Sequence, residues 1–124
     1  MSDCTVYNKD CPIRMVLDRI ADKWTVLIVG SLMHGTKRFG ELRRDIEGIS
    51  QKMLTQTLRA MERDGLVNRK IYPTIPPKVE YSLTESGKSL IQILLDIQDW
   101  SKNNVENILA SRIAYDERQK EAEY

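Results

Sequence analysis

The stretch from Leu66 to Leu83 constrains the fold more than any other part of the chain. Two short strand-like runs, Leu66 to Tyr72 and Val79 to Leu83, flank the sequence Pro73-Thr74-Ile75-Pro76-Pro77-Lys78. In the second run Val79, Tyr81 and Leu83 alternate with polar residues, which is the period of a half-buried strand. Proline fixes φ and lacks an N–H donor, so the stretch between the runs continues neither a helix nor a strand ladder. These eighteen residues therefore predict a hairpin with a protruding, stiffened loop.

Helical periodicity accounts for most of the remainder. Pro12 suits a first helical position, and Ile13, Val16, Leu17 and Ile20 follow on one face, predicting a helix to about Asp22. A second helix is predicted from Lys23 to Met33, with Trp24, Leu27, Ile28 and Leu32 as its apolar stripe and Gly35 just beyond its end. After a connection through Thr36 to Arg38, Phe39, Leu42 and Ile46 mark a short third helix ended by Gly48. Ser50 reads as the N-cap of a fourth helix that runs to Asp64 and stops at Gly65. Thr84 is placed to cap a long last helix beginning near Glu85, and the polar tail from Asp116 to Tyr124 is expected to fray. Three helices, a helix-turn-helix and a two-stranded hairpin follow the order of a winged helix. The predicted class is mainly α with a small β component, in one domain over residues 1–124 whose core spans about 11–100, followed by the C-terminal helix and tail at 101–124.

Charge places a binding surface on this frame. The whole chain is nearly neutral at +1, yet Lys37 to Lys78 carries ten basic against five acidic residues, net +5, and the rest sums to −4. A basic middle between acidic flanks suits a polyanion. Within the fourth helix, at about 100° per residue, Leu54, Thr57, Leu58 and Met61 share one face while Lys52, Gln56, Arg59 and Arg63 cluster on the opposite one. Long hydrogen-bonding side chains on an outer face are what base edges and phosphates in a major groove require. Lys52, Thr55, Gln56 and Arg59 lie toward the amino-terminal half, which enters a groove first, and are the candidates for base contact. Arg69, Lys70 and Lys78 bracket the proline-stiffened loop, where preorganisation lowers the entropy lost on reaching a phosphate backbone or minor groove.

Other chemistries find little support. There is one histidine, His34, and neither a Cys-x-x-Cys pair nor a His-Glu-x-x-His run, so no metal site or cofactor is expected. No Gly-rich phosphate loop or Gly-x-Ser-x-Gly elbow occurs. No apolar run approaches the roughly 18 residues of a membrane span and no signal core is evident, so a cytoplasmic protein without a membrane partner is expected.

Several segments together resemble the HxlR-type branch of the MarR-like winged-helix regulators. They are Cys11-Pro12-Ile13, Asp22-Lys23-Trp24-Thr25-Val26-Leu27-Ile28, Arg38-Phe39-Gly40-Glu41-Leu42-Arg43 and Gly48-Ile49-Ser50-Gln51-Lys52-Met53-Leu54. Leu58 through Val67, Tyr72-Pro73, Pro76 through Thr84 and Gly87 complete the set, over about residues 11 to 100. The resemblance implies a DNA-binding transcription regulator, a homodimer on double-stranded operator DNA, and the two-fold symmetry of a dimer then predicts an inverted-repeat operator. Its fourth helix would read the major groove through Ser50, Gln51, Lys52, Thr55, Gln56 and Arg59. Its wing and backbone contacts would come from Lys37, Arg43, Arg69, Lys70, Pro76, Pro77 and Lys78, with the wing at the flanking minor groove.

Six of the eight residues from Leu90 to Ile97 are apolar, more than one buried stripe needs, which points to dimerisation or to a helix threaded through the monomer core. Ile13, Leu17, Leu90, Leu94 and Ile97 are the candidate interface residues.

The resemblance also implies a cysteine near the first helix that senses oxidants or electrophiles, a position Cys11 fills. At the start of a helix, with Lys9 and Arg14 nearby, its thiolate form is favoured; the bland alternative is an inert small hydrophobe. Both cysteines are expected as resting thiols, with Cys4 on a flexible arm, either a resolving partner for Cys11 within or between subunits or idle. Two rivals stand beside the regulator. A thiol enzyme built on Cys11 would need a base, and the only histidine is 23 positions away. A winged-helix protein-interaction module is the other.

Overall fold

The computed structural model describes residues 4–122. It divides into two compact units, one ending at Ile91 and one beginning at Gln92. The first unit holds α1 (Pro12–Ile20), α2 (Lys23–Leu32), β1 (Lys37–Arg38), α3 (Phe39–Asp45), α4 (Gln51–Arg63), β2 (Val67–Tyr72), β3 (Lys78–Leu83) and α5 (Glu85–Lys88). The second unit is α6 (Ile91–Ala122) from its second residue onward.

Caps set the helix ends. The Asp22 carboxylate accepts from the N–H groups of Trp24 and Thr25 at 2.8 and 3.2 Å, so α1 closes at Ala21 and α2 starts afresh. Arg38 N–H donates to Glu41 Oε1 at 3.1 Å at the head of α3. Ser50 Oγ accepts from Met53 N–H at 3.0 Å, and Gly65 ends α4 at φ 75°, a conformation that favours glycine.

Ile28, Val29, Leu32, Leu42, Ile46, Ile49, Leu54, Leu58, Met61, Val67 and Leu83 form the core of the first unit. Each fully buried aliphatic side chain contributes about 1.5 to 3 kcal/mol relative to exposure. The α2 stripe is rotated from the predicted one: Thr25, Ile28, Val29, Ser31 and Leu32 are buried, whereas Leu27 is exposed and Trp24 half-buried under Lys23, whose Nζ lies 4.5 Å from its ring centroid. The buried Thr25 Oγ1 has no hydrogen-bond partner among the described residues. An unsatisfied buried hydroxyl costs about 1 to 3 kcal/mol. Thr25→Val, of the same shape, is therefore expected to leave the urea unfolding midpoint unchanged or to raise it; a lowered midpoint would show that the hydroxyl stabilises the fold.

Three further expectations require correction. The hairpin has a third strand, in the order β1-β3-β2, with Lys37 opposite Tyr81 and Arg38 opposite Glu80. At two residues β1 is too short to show a period. The last helix is interrupted: Thr84 caps α5 through the Gly87 N–H at 3.1 Å, and the Leu90 N–H turns back to the Gly87 carbonyl at 3.1 Å before α6 begins. Finally, α6 does not fray at Asp116. It continues to Ala122, through Glu, Arg, Gln, Lys and Ala residues that are strong helix formers despite being polar; the last two residues of the expected frayed tail lie outside the described residues.

Candidate nucleic-acid interface

Burial of Leu54, Thr57, Leu58 and Met61 fixes the roll of α4 about its own axis. That roll leaves Ser50, Gln51, Lys52, Gln56, Arg59 and Arg63 exposed. Thr55 is different. Half-buried, it lines with Leu58, Arg59, Glu62, Arg69 and Tyr81 a hollow of about 350 Å³ between α4 and the sheet. In this hollow Arg69 Nε stands 3.3 Å from the Glu62 carboxylate and ties β2 to α4. Burial pushes the Tyr81 phenol above its usual range, opposed by Arg69 and Arg59 and reinforced by Glu62.

The opposite face of the wing is a second charged cluster. The register sets Lys70 opposite Glu80 and Tyr72 opposite Lys78, so the four share one face. Lys70 and Lys78 hold their Nζ atoms 4.8 and 5.1 Å from the Tyr72 ring centroid, within cation–π range. Tyr72 Oη donates to Glu80 Oε2 at 3.2 Å, and Lys78 Nζ lies 2.9 Å from the same carboxylate. The Lys78 hydrogen bond holds the Glu80 carboxyl below its ordinary range, against the opposing effect of burial and with help from Tyr72. Pro76 and Pro77 lie exposed in the connecting loop.

Two of the predicted basic contacts separate here. Lys37 is turned inward: its Nζ bonds Asp45 and sits 3.1 Å from Ser31 Oγ, with the side chain 19 % exposed. It joins β1 to α3 and holds the Asp45 carboxyl below its usual range. Its ammonium group is thus engaged within the first unit. Arg43 is exposed on α3. The residues that sequence reasoning missed are Glu62, Tyr72 and Glu80, the partners that orient Arg69, Lys70 and Lys78. Only the strand register could have found Tyr72 and Glu80, because it alone says which residues share a face.

The cysteines also depart from expectation. Cys4 and Cys11 are joined in a disulfide with Cα atoms 5.5 Å apart, inside the range such a bond spans. The segment between them is folded into turns, with Asn8 N–H on the Thr5 carbonyl at 3.1 Å and Cys11 N–H on the Asn8 carbonyl at 3.0 Å. Cys11 is 4 % exposed at the N-cap of α1 and its side chain makes no capping bond. Among the proposed interface residues, Ile13, Leu17 and Ile97 are exposed, whereas Leu90 is a core residue and Leu94 is the buried residue of α6.

Among the described residues there is no group of three or more His, Cys, Asp or Glu that could hold a metal ion, and no helix long and apolar enough to cross a membrane. A family described as HxlR-like helix-turn-helix matches residues 19–109. A curated relative in Escherichia coli strain K12, the uncharacterized HTH-type transcriptional regulator YtfH, is 43 % identical over 112 residues, 90 % of this chain and 89 % of that protein. The solved structure of the putative transcriptional regulator ytfH from Salmonella typhimurium superposes with a TM-score of 0.81 at 43 % identity, covering 88 % of this chain and 97 % of that one. The redox regulator HypR in its oxidized form superposes with a TM-score of 0.70 at 46 % identity, covering 76 % of this chain and 97 % of that one.

Proposed function

The chain belongs to the HxlR-like helix-turn-helix family of transcriptional regulators, and from that premise we propose that it binds an inverted-repeat operator as a homodimer switched by Cys11. The observation that carries the reading is the roll of α4, which presents Lys52, Gln56, Arg59 and Arg63 outward while four residues of the same helix are buried. The wing adds Lys70 and Lys78 at positions that Tyr72 and Glu80 hold in place. Footprinting of the full chain on the intergenic DNA beside its own gene tests this. Protection of two half-sites about 10 bp apart, or a multiple of that, is expected. No protection at any position would remove the operator reading and leave the protein-interaction module.

Exposed apolar residues support the dimer. Ile13, Val16 and Leu17 stand exposed at the spacing of one face of α1, and Ile93, Ile97, Trp100, Val105 and Leu109 are exposed along α6. Apolar surface on this scale marks an interaction site in a water-soluble protein. Sedimentation is expected to give a dimer at micromolar concentration. A monomer that still bound the operator tightly would exclude it.

The switch rests on the Cys4–Cys11 pair. In the reduced protein a Cys11 thiolate attacks an oxidant such as diamide, and the Cys4 thiolate displaces the resulting adduct. The S–S bond forms within one subunit as two electrons from the thiolates and two protons from solvent pass to the oxidant, which leaves as the hydrazine. Closing this bond tethers the N-terminal turns to the head of α1, beside the apolar face assigned to the dimer. Diamide is expected to change wild-type operator affinity by at least about tenfold, a coupling of roughly 1.4 kcal/mol. Cys11→Ser should not respond, and oxidised wild type should migrate as a single chain on a non-reducing gel. Equal responses in wild type and Cys11→Ser would eliminate the switch and leave the operator reading in place.

A further inference from the structure

We propose that Ile75, at the tip of the wing, is an apolar wedge that enters the DNA minor groove beside each half-site and partly unstacks a base step there. The inference rests on the operator reading above and names what the wing does to the DNA.

Ile75 is 101 % exposed, more than any other large apolar residue among those described. A lone exposed aliphatic side chain is ordinary on a protein surface. What sets this one apart is how it is held and what surrounds it. Its loop is stiffened by Pro73, Pro76 and Pro77. Thr74 fastens both sides of the tip: its N–H donates to the Tyr72 carbonyl at 2.8 Å, and its Oγ1 donates to the Pro76 carbonyl at 2.8 Å. The side chain is thus presented to solvent on a preordered turn, and little conformational entropy remains to be lost when it is buried.

The surroundings select the occupant. Behind the tip, the Lys70 and Lys78 ammonium groups gather on Tyr72, and the single carboxylate among them, Glu80, also faces Arg38 across the β1–β3 pair. An apolar point on a loop whose base carries two cations matches a narrow slot walled by phosphates and floored by stacked bases. That is a minor groove, about 6 Å wide, into which isoleucine is among the side chains known to wedge. The Arg69–Glu62 pair ties the wing to α4, so insertion of the tip and docking of the recognition helix proceed as one unit. Unstacking kinks a duplex by roughly 20 to 90° toward the major groove and is easiest at TA and CA/TG steps. The wing therefore selects deformability at flanking positions that no side chain reads by hydrogen bonding.

The test uses the footprinted operator with 2-aminopurine placed at successive flanking steps, together with circularly permuted fragments for bending. Wild type is expected to raise 2-aminopurine fluorescence at one step on each flank and to bend the DNA. Ile75→Ser should lose both signals, keep the half-site footprint of α4, and bind about tenfold more weakly, the worth of burying part of an isoleucine side chain. Ile75→Leu should retain both signals. Normal footprints with no fluorescence rise in wild type, or with Ile75→Ser indistinguishable from wild type, overturn the wedge alone. Absence of any footprint overturns the wedge and the operator reading together.

Discussion

The double variant Gln56→Ala, Arg59→Ala is expected to fold as the parent does and to lose operator binding by about 2 to 6 kcal/mol, thirtyfold at the least. Both side chains stand exposed on α4, so their removal leaves no cavity. Each can make a bidentate contact worth about 1 to 3 kcal/mol of base discrimination, glutamine to adenine and arginine to guanine. Binding to unrelated DNA, which depends on phosphate neutralisation, should fall far less. Lys70→Ala provides the contrast: it should weaken every sequence alike and reduce the slope of log affinity against log salt by about one. Lys78→Ala should cost more than its own charge, because it also strips Glu80 of the ammonium 2.9 Å away and leaves a carboxylate facing the DNA. Titrations by fluorescence anisotropy at two salt concentrations, on operator and scrambled DNA, separate these cases. Operator affinity unchanged in the double variant, with its circular dichroism intact, would remove α4 as the reading element.

The helix α4 was legible because one local rule governs it. Ser50, Gly65 and the spacing of Leu54, Leu58 and Met61 define both its limits and its roll, and the structure keeps all of them. The wing was legible as a hairpin because prolines interrupt it. Its chemistry was not, since Lys70, Tyr72, Lys78 and Glu80 meet only once the strand register is known. Lys37 shows the same limit from the other side. In sequence it is one more positive charge in a basic segment, whereas its fate is decided by Asp45 and Ser31, eight and six positions away, through a two-residue strand with no period. The α2 stripe was misassigned because a helix enclosed by α1, α3 and α4 buries small polar Thr25 and Ser31 where simple hydrophobicity prefers Leu27. Cys4 carried no periodic signal, and only folding of residues 4–11 into turns brings it to Cys11.

Gly87→Ala is expected to destabilise the first unit by about 1 to 3 kcal/mol or more, against a helix propensity that favours alanine by about 1 kcal/mol. The backbone of Gly87 is not in the left-handed region, so the cost is steric rather than conformational. A Cβ there would collide with the carbonyl oxygen of Leu66 and come within 3.1 Å of Leu83 Cδ2. The leucine side chain can rotate away. The carbonyl cannot, because it accepts the Thr84 N–H at 3.1 Å, and Thr84 in turn caps α5 through the Gly87 N–H. Moving α5 outward to admit the methyl group would break the cap and loosen Val67 and Leu83, the buried ends of the wing. Gly30→Ala supplies the control. It makes the same chemical change inside α2, where an added Cβ meets nothing within 4 Å, and is expected to stabilise by about 0.5 to 1 kcal/mol. Urea unfolding of the two variants side by side should move the midpoint in opposite directions. A Gly87→Ala midpoint equal to or above that of the parent would mean that α5 is free to shift, and that the wing is not anchored through the Leu66 carbonyl.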